Sequence, residues 1–307
     1  MKKILIVAGP TAVGKTAFGI ELAQKFNGEI ISGDSMQVYR EVSIATAKPS
    51  LQEQKQATHH LINTQSIYDE FSVKEFVEKA DQKISEITSR GKLPIIVGGT
   101  GFYLNTLIHD FKLGAEKDEN YFNIEENYQN MLEEKGEVYL WQLLSEKDKA
   151  AAEKIPKENH RRVIRALTVI KVTGQLFSKQ QESLSVKYDA LLLGLNTDRE
   201  VLYQRINQRV DYMMTEGLLD EAKLIYQNQN RIYQAKQAIG YKEFFAYFDN
   251  NVTYEKAIEQ LKQSSRRYAK RQLTYFRNKL PMHWIDPVTK DSQYNSILKD
   301  ISNWLKK

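Results

Sequence analysis

The sequence predicts an α/β protein with a parallel sheet at its centre and a helical segment inserted into it. Three observations predict this. A short apolar run, Ile4 to Ala8, leads straight into a glycine-rich loop that opens a helix. Short apolar strands then alternate with amphipathic helices, the pattern of a doubly wound parallel sheet. Between residues 115 and 183 the alternation stops and no convincing strand is found.

Lys3 to Ala8 reads as a strand of the fully buried type. Lys15 to Phe26 follows as a helix, with Ile20, Leu22, Ala23 and Phe26 on its apolar face. Glu29 to Ser32 is a second short strand, ending at Gly33-Asp34-Ser35. Ser72-Val73-Lys74-Glu75 is a capping box and opens a helix to about Arg90. Leu93 to Val97 is a third strand, stopped by Gly98-Gly99-Thr100-Gly101. The following stretch is rich in Tyr, Glu, Lys and Gln and reads as helix. Strand character resumes at Ala190 to Leu195, before a second expected capping box, Thr197-Asp198-Arg199-Glu200. Long helices run on to Lys279, His283 to Ile285 is a last strand, and Ser292 to Lys306 a terminal helix. The expected domains are a P-loop NTPase-like core, 1–114 with 184–307, and a helical insertion, 115–183.

The composition narrows the classes. Of 307 residues, 41% are hydrophobic and 27% charged, which suits a packed, soluble chain. There is no cysteine, so a disulfide framework, a thiolate zinc site and a cysteine nucleophile are excluded. A reducing, cytoplasmic location fits. No stretch approaches the roughly 18 unbroken apolar residues of a membrane span, and the run before Gly9 is too short for a signal segment. The histidines, His59, His60, His109, His160 and His283, have no metal-ligand spacing. The net charge of +5 is unevenly placed. Leu261 to Ile285 contains no acid but carries Lys262, Arg266, Arg267, Lys270, Arg271, Arg277 and Lys279, which leaves the rest of the chain net −2.

The strongest motif is Gly9-Pro10-Thr11-Ala12-Val13-Gly14-Lys15-Thr16, a G-x-x-x-x-G-K-T phosphate loop. Such a pattern arises by chance in a chain this long on the order of once in a hundred. Its glycines let successive backbone N–H groups point at phosphate oxygens, and the helix N-terminus adds partial positive charge. Lys15 supplies a full charge, and the Thr16 hydroxyl suits a Mg²⁺ bound to the same phosphates. Asp34 ends the second strand, at the edge where doubly wound sheets place ligands. It could accept a proton, hold a Mg²⁺ water or merely cap the next turn. Gly98 to Gly101 lies at the same edge, where its glycines would allow a ligand close and Thr100 could bond it, or it is a simple strand-to-helix turn. Arg205 and Arg209 share a helix face, placed either to steady a leaving diphosphate or to pair with Asp198 or Asp211. Arg161, Arg162 and Arg165 form a second basic helix face over the apolar stripe of Val163, Ala166, Leu167 and Ile170. Two basic helices, with Tyr268, Tyr275, Phe276 and Trp284 in or beside the acid-free one, point to nucleic acid.

These segments together resemble a known family. Gly9 to Thr16, Ile31-Ser32-Gly33-Asp34-Ser35-Met36-Gln37-Val38-Tyr39-Arg40, Thr46-Ala47-Lys48-Pro49, His59-His60-Leu61-Ile62 and Val97 to Tyr103 are similar to the bacterial tRNA dimethylallyltransferases. So are Arg161 to Leu167, Ala238-Ile239-Gly240-Tyr241-Lys242-Glu243 and Ala269-Lys270-Arg271-Gln272. The match runs in order over nearly the whole chain. It departs at Ala45, where many members have Gly, and at Gln237, where members often carry a basic residue.

The resemblance implies transfer of a dimethylallyl group from its diphosphate to N6 of the adenosine 3′-adjacent to the anticodon in tRNA. It implies Asp34 as the base, with Thr100 and Arg209 at the reacting centre. The P-loop, Gly9 to Thr16, would hold the prenyl diphosphate with Mg²⁺ on Thr16, in a loop type that also binds nucleotides such as ATP. Contacts to tRNA are implied for Asp34, Ser35, Met36, Gln37 and Thr100. They are implied too for Arg161, Arg162, Val163, Ile164, Arg165, Gly240, Tyr241 and Lys242, and for Arg266, Arg267, Lys270, Arg271 and Gln272. The insertion would clasp the anticodon stem-loop. The enzyme is expected to be cytoplasmic and monomeric, without a membrane partner. Three rivals stand beside this. A P-loop kinase of a small metabolite has no need of two basic helices. An RNA-binding nucleotide switch does not explain Asp34, and a prenyltransferase of free nucleotides does not explain the insertion.

Overall fold

The computed structural model describes residues 1–109, 118–179, 185–289 and 292–307. It contains two compact units, Met1–Ile108 with Val186–Lys307, and His109–Ser185. The expected insertion boundaries, 115 and 183, lie outside the described residues.

The larger unit is built on a parallel sheet of β1 (Lys3–Ala8), β2 (Gly28–Ser32), β3 (His59–His60), β4 (Leu93–Gly98), β5 (Asp189–Leu195) and β6 (His283–Ile285). Their spatial order is β3-β2-β4-β1-β5-β6, and every pair is parallel. β1 is central, so both its faces are covered, and its apolar run needs no polar alternation. Its residues still alternate between two cores. Ile4, Ile6 and Ala8 pack with Phe76, Tyr103 and Phe276, while Leu5 and Val7 pack with Leu22, Leu195 and Ile301 on the other side.

The helices before the break are α1 (Lys15–Lys25), α2 (Leu51–Gln56), α3 (Val73–Ser89) and α4 (Gly101–Ile108). The capping box of α3 is present in both halves: the Glu75 N–H donates to Ser72 Oγ at 3.2 Å and the Ser72 N–H to the Glu75 carboxylate at 2.8 Å. α2 has the same device at Ser50 and Glu53. The smaller unit holds α5 (Glu119–Lys147), α6 (Lys149–Lys154) and α7 (His160–Thr173). α5 is broken at Gly136, whose φ of 80° belongs to the left-handed region that glycine tolerates. Leu140, Leu144, Val163, Ala166 and Leu167 form this unit's core.

After β5 come α8 (Arg199–Thr215), α9 (Leu218–Gln227), α10 (Phe245–Phe248), α11 (Tyr254–Lys279) and α12 (Ser292–Lys306). The cap expected from Thr197 belongs to Asp198, whose carboxylate accepts from the Glu200 and Val201 N–H groups. A carboxylate one residue closer to the helix takes that role, and the Thr197 hydroxyl donates instead to Asp286 at 3.0 Å.

Candidate active site

The phosphate loop leaves the carboxyl end of β1. At Gly9 a Cβ would lie 2.6 Å from the Leu195 carbonyl oxygen, so only glycine lets β1 turn this close to β5. Gly14 has φ 107° and Ala12 φ 64°, the curled backbone that turns N–H groups inward. Whereas α2, α3, α8 and α11 are capped by their own Ser, Asp or Thr side chains, α1 begins at Gly14 with no side-chain cap and no acid in its first turn. Its free N–H groups and dipole are therefore available to an anion.

Three charged groups converge beside it. Lys15 donates to the Pro10 carbonyl at 2.7 Å. Burial lowers its pKa to about 8, while Asp34 opposes and Arg209 reinforces that shift. Burial pushes the Asp34 carboxyl above the usual carboxylate range, against the Met36 N–H and the charges of Lys15 and Arg209. Burial likewise lowers the Arg209 pKa, with Asp34 opposing. One Asp34 oxygen accepts from the Met36 N–H at 2.9 Å, so the residue does cap its turn while facing the two cations. Arg205 donates through Nε to the Ala12 carbonyl at 2.9 Å, bracing the loop. The acids that offered a bland alternative are engaged elsewhere, Asp211 with Lys262 and Asp198 in the α8 cap.

Thr100 stands across from Asp34. Its Oγ1 accepts from the Ser35 N–H at 3.1 Å, which ties the β4 turn to the β2 turn. The glycines around it admit protein rather than open space. A Cβ on Gly98 would meet the Gly33 carbonyl oxygen at 2.2 Å, one on Gly99 the Gln272 amide at 2.3 Å, and one on Gly101 the Tyr275 ring at 2.4 Å.

Gln272 is buried, and its amide bridges two parts of the site. Its oxygen accepts from the Thr11 N–H and its nitrogen donates to the Gly99 carbonyl, both at 2.9 Å. Both ends of the Gln272 amide therefore hold protein. Gln37 is engaged in the same way, accepting from Ser32 and donating to the Thr46 and Ala47 carbonyls. Tyr241 is fully buried and donates to Glu221 at 2.7 Å. The Glu221 carboxylate also accepts from the N–H groups of Ser43, Ile44 and Ala45, so this acid anchors the loop carrying Thr46-Ala47-Lys48-Pro49. The Gly240 N–H donates to Glu243, which leaves Lys242 as the exposed member of its motif. Arg266 donates to Asn207 of α8 at 2.7 Å. Val163 and Ile164 lie in the core of the smaller unit, because the helical period turns them away from Arg161, Arg162 and Arg165, which are exposed.

What remains on α11 is a basic face. Arg267, Lys270 and Arg271 are exposed and have no acidic partner among the described residues. An open groove of about 370 Å³ is lined by Lys270, Arg271, Thr274, Tyr275, Asn278 and Lys279. Tyr268, which in the sequence is only an aromatic beside basic residues, reaches into the site. Its hydroxyl lies against Thr100 and Gln272 and close enough to Asp34 to feel its charge. The one sequence signal for this is its place four residues before Gln272 on the same helix face. Among the described residues no three His, Cys, Asp or Glu side chains form a metal cluster, and no helix is long and apolar enough to cross a membrane.

A family model described as IPP transferase matches residues 37–279. A tRNA dimethylallyltransferase of Lactobacillus acidophilus is 52% identical over 304 residues, 99% of each chain. Among solved structures, the full-length tRNA isopentenylpyrophosphate transferase of Bacillus halodurans is 45% identical with a TM-score of 0.73, and the alignment covers 100% of this chain and 97% of that one. A eukaryotic dimethylallyltransferase acting on tRNA is 33% identical with a TM-score of 0.81, over 99% of this chain and 79% of that one.

Proposed function

The chain belongs to the IPP transferase family, and from that premise we infer how its own residues carry out the reaction. It is a transferase that moves a dimethylallyl group onto tRNA. In our reading the donor is dimethylallyl diphosphate and the acceptor is N6 of the adenosine 3′-adjacent to the anticodon.

The observation that carries this reading is Asp34, held at the edge of the sheet with Lys15 and Arg209 around it. The uncapped N-terminus of α1 and Lys15 bind the diphosphate, and Arg209 faces the charge that grows as it leaves. The N6–carbon bond forms as the carbon–oxygen bond breaks. The electron pair departs with diphosphate, and the N6 proton passes to Asp34. Burial makes Asp34 a stronger base, while the Met36 N–H and the two cations favour its ionised form. An adenine inside a helical stack cannot reach this edge, so the base must swing out.

Mg²⁺ fits the residues present. The Thr16 hydroxyl is half-buried in the first turn of α1 and has no hydrogen bond among the described residues. No all-protein cage is found among them, which suits an ion that keeps waters and shares phosphate oxygens. Bound there, Mg²⁺ would neutralise part of the diphosphate charge. The exposed Arg267, Lys270 and Arg271 of α11, with Arg161, Arg162 and Arg165 of the smaller unit, suit the phosphates of an anticodon stem-loop. A tRNA substrate supports a cytoplasmic location.

The test is to incubate the protein with unmodified tRNA, dimethylallyl diphosphate and Mg²⁺, digest the tRNA and look for N6-prenylated adenosine. Asp34→Asn should keep donor and tRNA binding and lower kcat by roughly 10²–10⁴. A loss that high Mg²⁺ restores would make Asp34 a metal-site residue and overturn its role as base.

A further inference from the structure

Tyr268 lies half-buried on α11, one helical turn before Gln272. Gln272 is pinned by its 2.9 Å bonds to the Thr11 N–H and the Gly99 carbonyl. Residues four apart share a helix face, so the same two bonds aim Tyr268 at the turn holding Thr100. There the Tyr268 hydroxyl lies beside the Gln272 amide and the Thr100 side chain, with Asp34 nearby. Of the two Gln272 amide protons, one goes to the Gly99 carbonyl. The Thr100 hydroxyl is itself held by Ser35, accepting from its N–H at 3.1 Å and donating to its Oγ at 3.4 Å. A phenol hydroxyl carries one proton that it can give. No described side chain accepts it.

Burial raises the Tyr268 pKa and so keeps the hydroxyl protonated throughout the working pH range. Its ring also carries the Arg271 guanidinium, 5.7 Å from the ring centre, on the exposed face of α11. Tyr268 therefore spans the distance from a basic outer surface to the reacting centre.

Asp34 and Tyr268 make an acceptor and a donor side by side. The amino edge of adenine has the opposite pattern, an N6–H donor next to a ring-nitrogen acceptor. Guanine presents an oxygen in place of N6–H and would face Asp34 with like charge. We propose that Tyr268 donates its hydroxyl proton to the ring nitrogen flanking N6 of the target adenine, so that Asp34 and Tyr268 together select adenine and orient its amino group. A donor on that nitrogen also draws electron density from the amine and makes its proton easier for Asp34 to remove. No bond is made or broken at Tyr268 itself.

This rests on the tRNA-prenylation reading, which is checked first: the parent enzyme must prenylate N6 in a synthetic anticodon stem-loop. If it does not, that reading has failed and Tyr268 is not in question. Given activity, single-turnover rates are measured for parent and Tyr268→Phe on stem-loops carrying adenosine, 1-deazaadenosine or 7-deazaadenosine at the target. Tyr268→Phe keeps the ring and the Arg271 contact. It should lose about five- to tenfold on adenosine, the worth of one hydrogen bond. One of the two deaza bases should cost the parent a similar factor and cost the variant nothing more. Which one does so names the nitrogen. If both deaza losses multiply with the tyrosine loss, Tyr268 acts only by packing against Thr100 and Gln272, and the proposal is wrong. A Tyr268→Phe variant with parental rate on adenosine overturns it equally.

Discussion

Gln272→Ala and Gln272→Glu test whether α11 is fastened to the phosphate loop by one side chain. Gln272 is only 6% exposed and makes two bonds of 2.9 Å. Removing the amide leaves the Thr11 N–H and the Gly99 carbonyl without partners, at about 1–3 kcal/mol each. The glutamate can still accept from Thr11 but sets a buried anion against the Gly99 carbonyl, for a comparable ~2–4 kcal/mol. With a urea m value of ~3 kcal/mol/M, a loss of ~3 kcal/mol moves the unfolding midpoint down by about 1 M. Urea titration followed by circular dichroism reads this directly. Calorimetric titration with dimethylallyl diphosphate should show weaker binding in both variants, because Thr11 is no longer steadied. Stem-loop binding by Gln272→Ala should keep its salt dependence, since no charge is removed. An unchanged midpoint together with weakened RNA binding alone would show that Gln272 is an RNA contact and that the bridge has no structural weight.

Lys15→Ala should weaken dimethylallyl diphosphate binding and slow turnover, while a filter-binding assay finds tRNA affinity nearly unchanged. Arg267→Ala and Arg271→Ala should each lower the slope of log affinity against log salt by about one for every phosphate left without its cation; an unchanged slope would make that face merely solvated. Glu29 is buried between His60, Arg90 and Lys92, at 2.7, 2.7 and 2.9 Å. Against the upward push of burial, its hydrogen bonds to these three side chains hold its pKa at about 2, below its ordinary 4.5. A folded-state pKa below the unfolded one means stability that is complete above the ordinary value and lost as pH falls towards the lower one. The urea midpoint should therefore drop between about pH 4.5 and 2 in the parent, and less steeply in Glu29→Gln, which should start roughly 1–3 kcal/mol lower at neutral pH.

The parts of the fold legible in the sequence are those whose cause is local. β1 and the phosphate loop, the Ser72–Glu75 cap and the position of Asp34 at a strand end all follow from neighbours along the chain. β3 is not legible, because His59–His60 become a strand only by pairing with Ile30 and Ile31. α2 carries a readable cap at Ser50, but its polar Gln-Glu-Gln-Lys-Gln run has no apolar face to announce a helix. Charge marks α11 and α7 as basic without saying which side chains point inward. That is why the inward bonds of Gln272 and Tyr241 are not legible in the sequence, nor the place of Tyr268 beside the site. Their partners, Thr11, Glu221 and Thr100, lie far away along the chain, and only the packed structure brings them together.

The position of β5 sets the order in which the chain can be completed during synthesis. β1 is hydrogen-bonded on one side to β4 and on the other to β5, and Lys3 and Asp189 are 186 residues apart. At ribosomal speeds of ~5–20 residues per second, β1 waits roughly 10–40 s with one edge unpaired after it emerges. The whole His109–Ser185 unit is made in that interval, so it can fold while the sheet is still open. The turn at Gly9 is shaped against the Leu195 carbonyl, and Thr11 is held by a side chain made later still. A polypeptide released before Leu195 contains the eight-residue motif Gly9 to Thr16 but lacks the wall against which that motif takes its form.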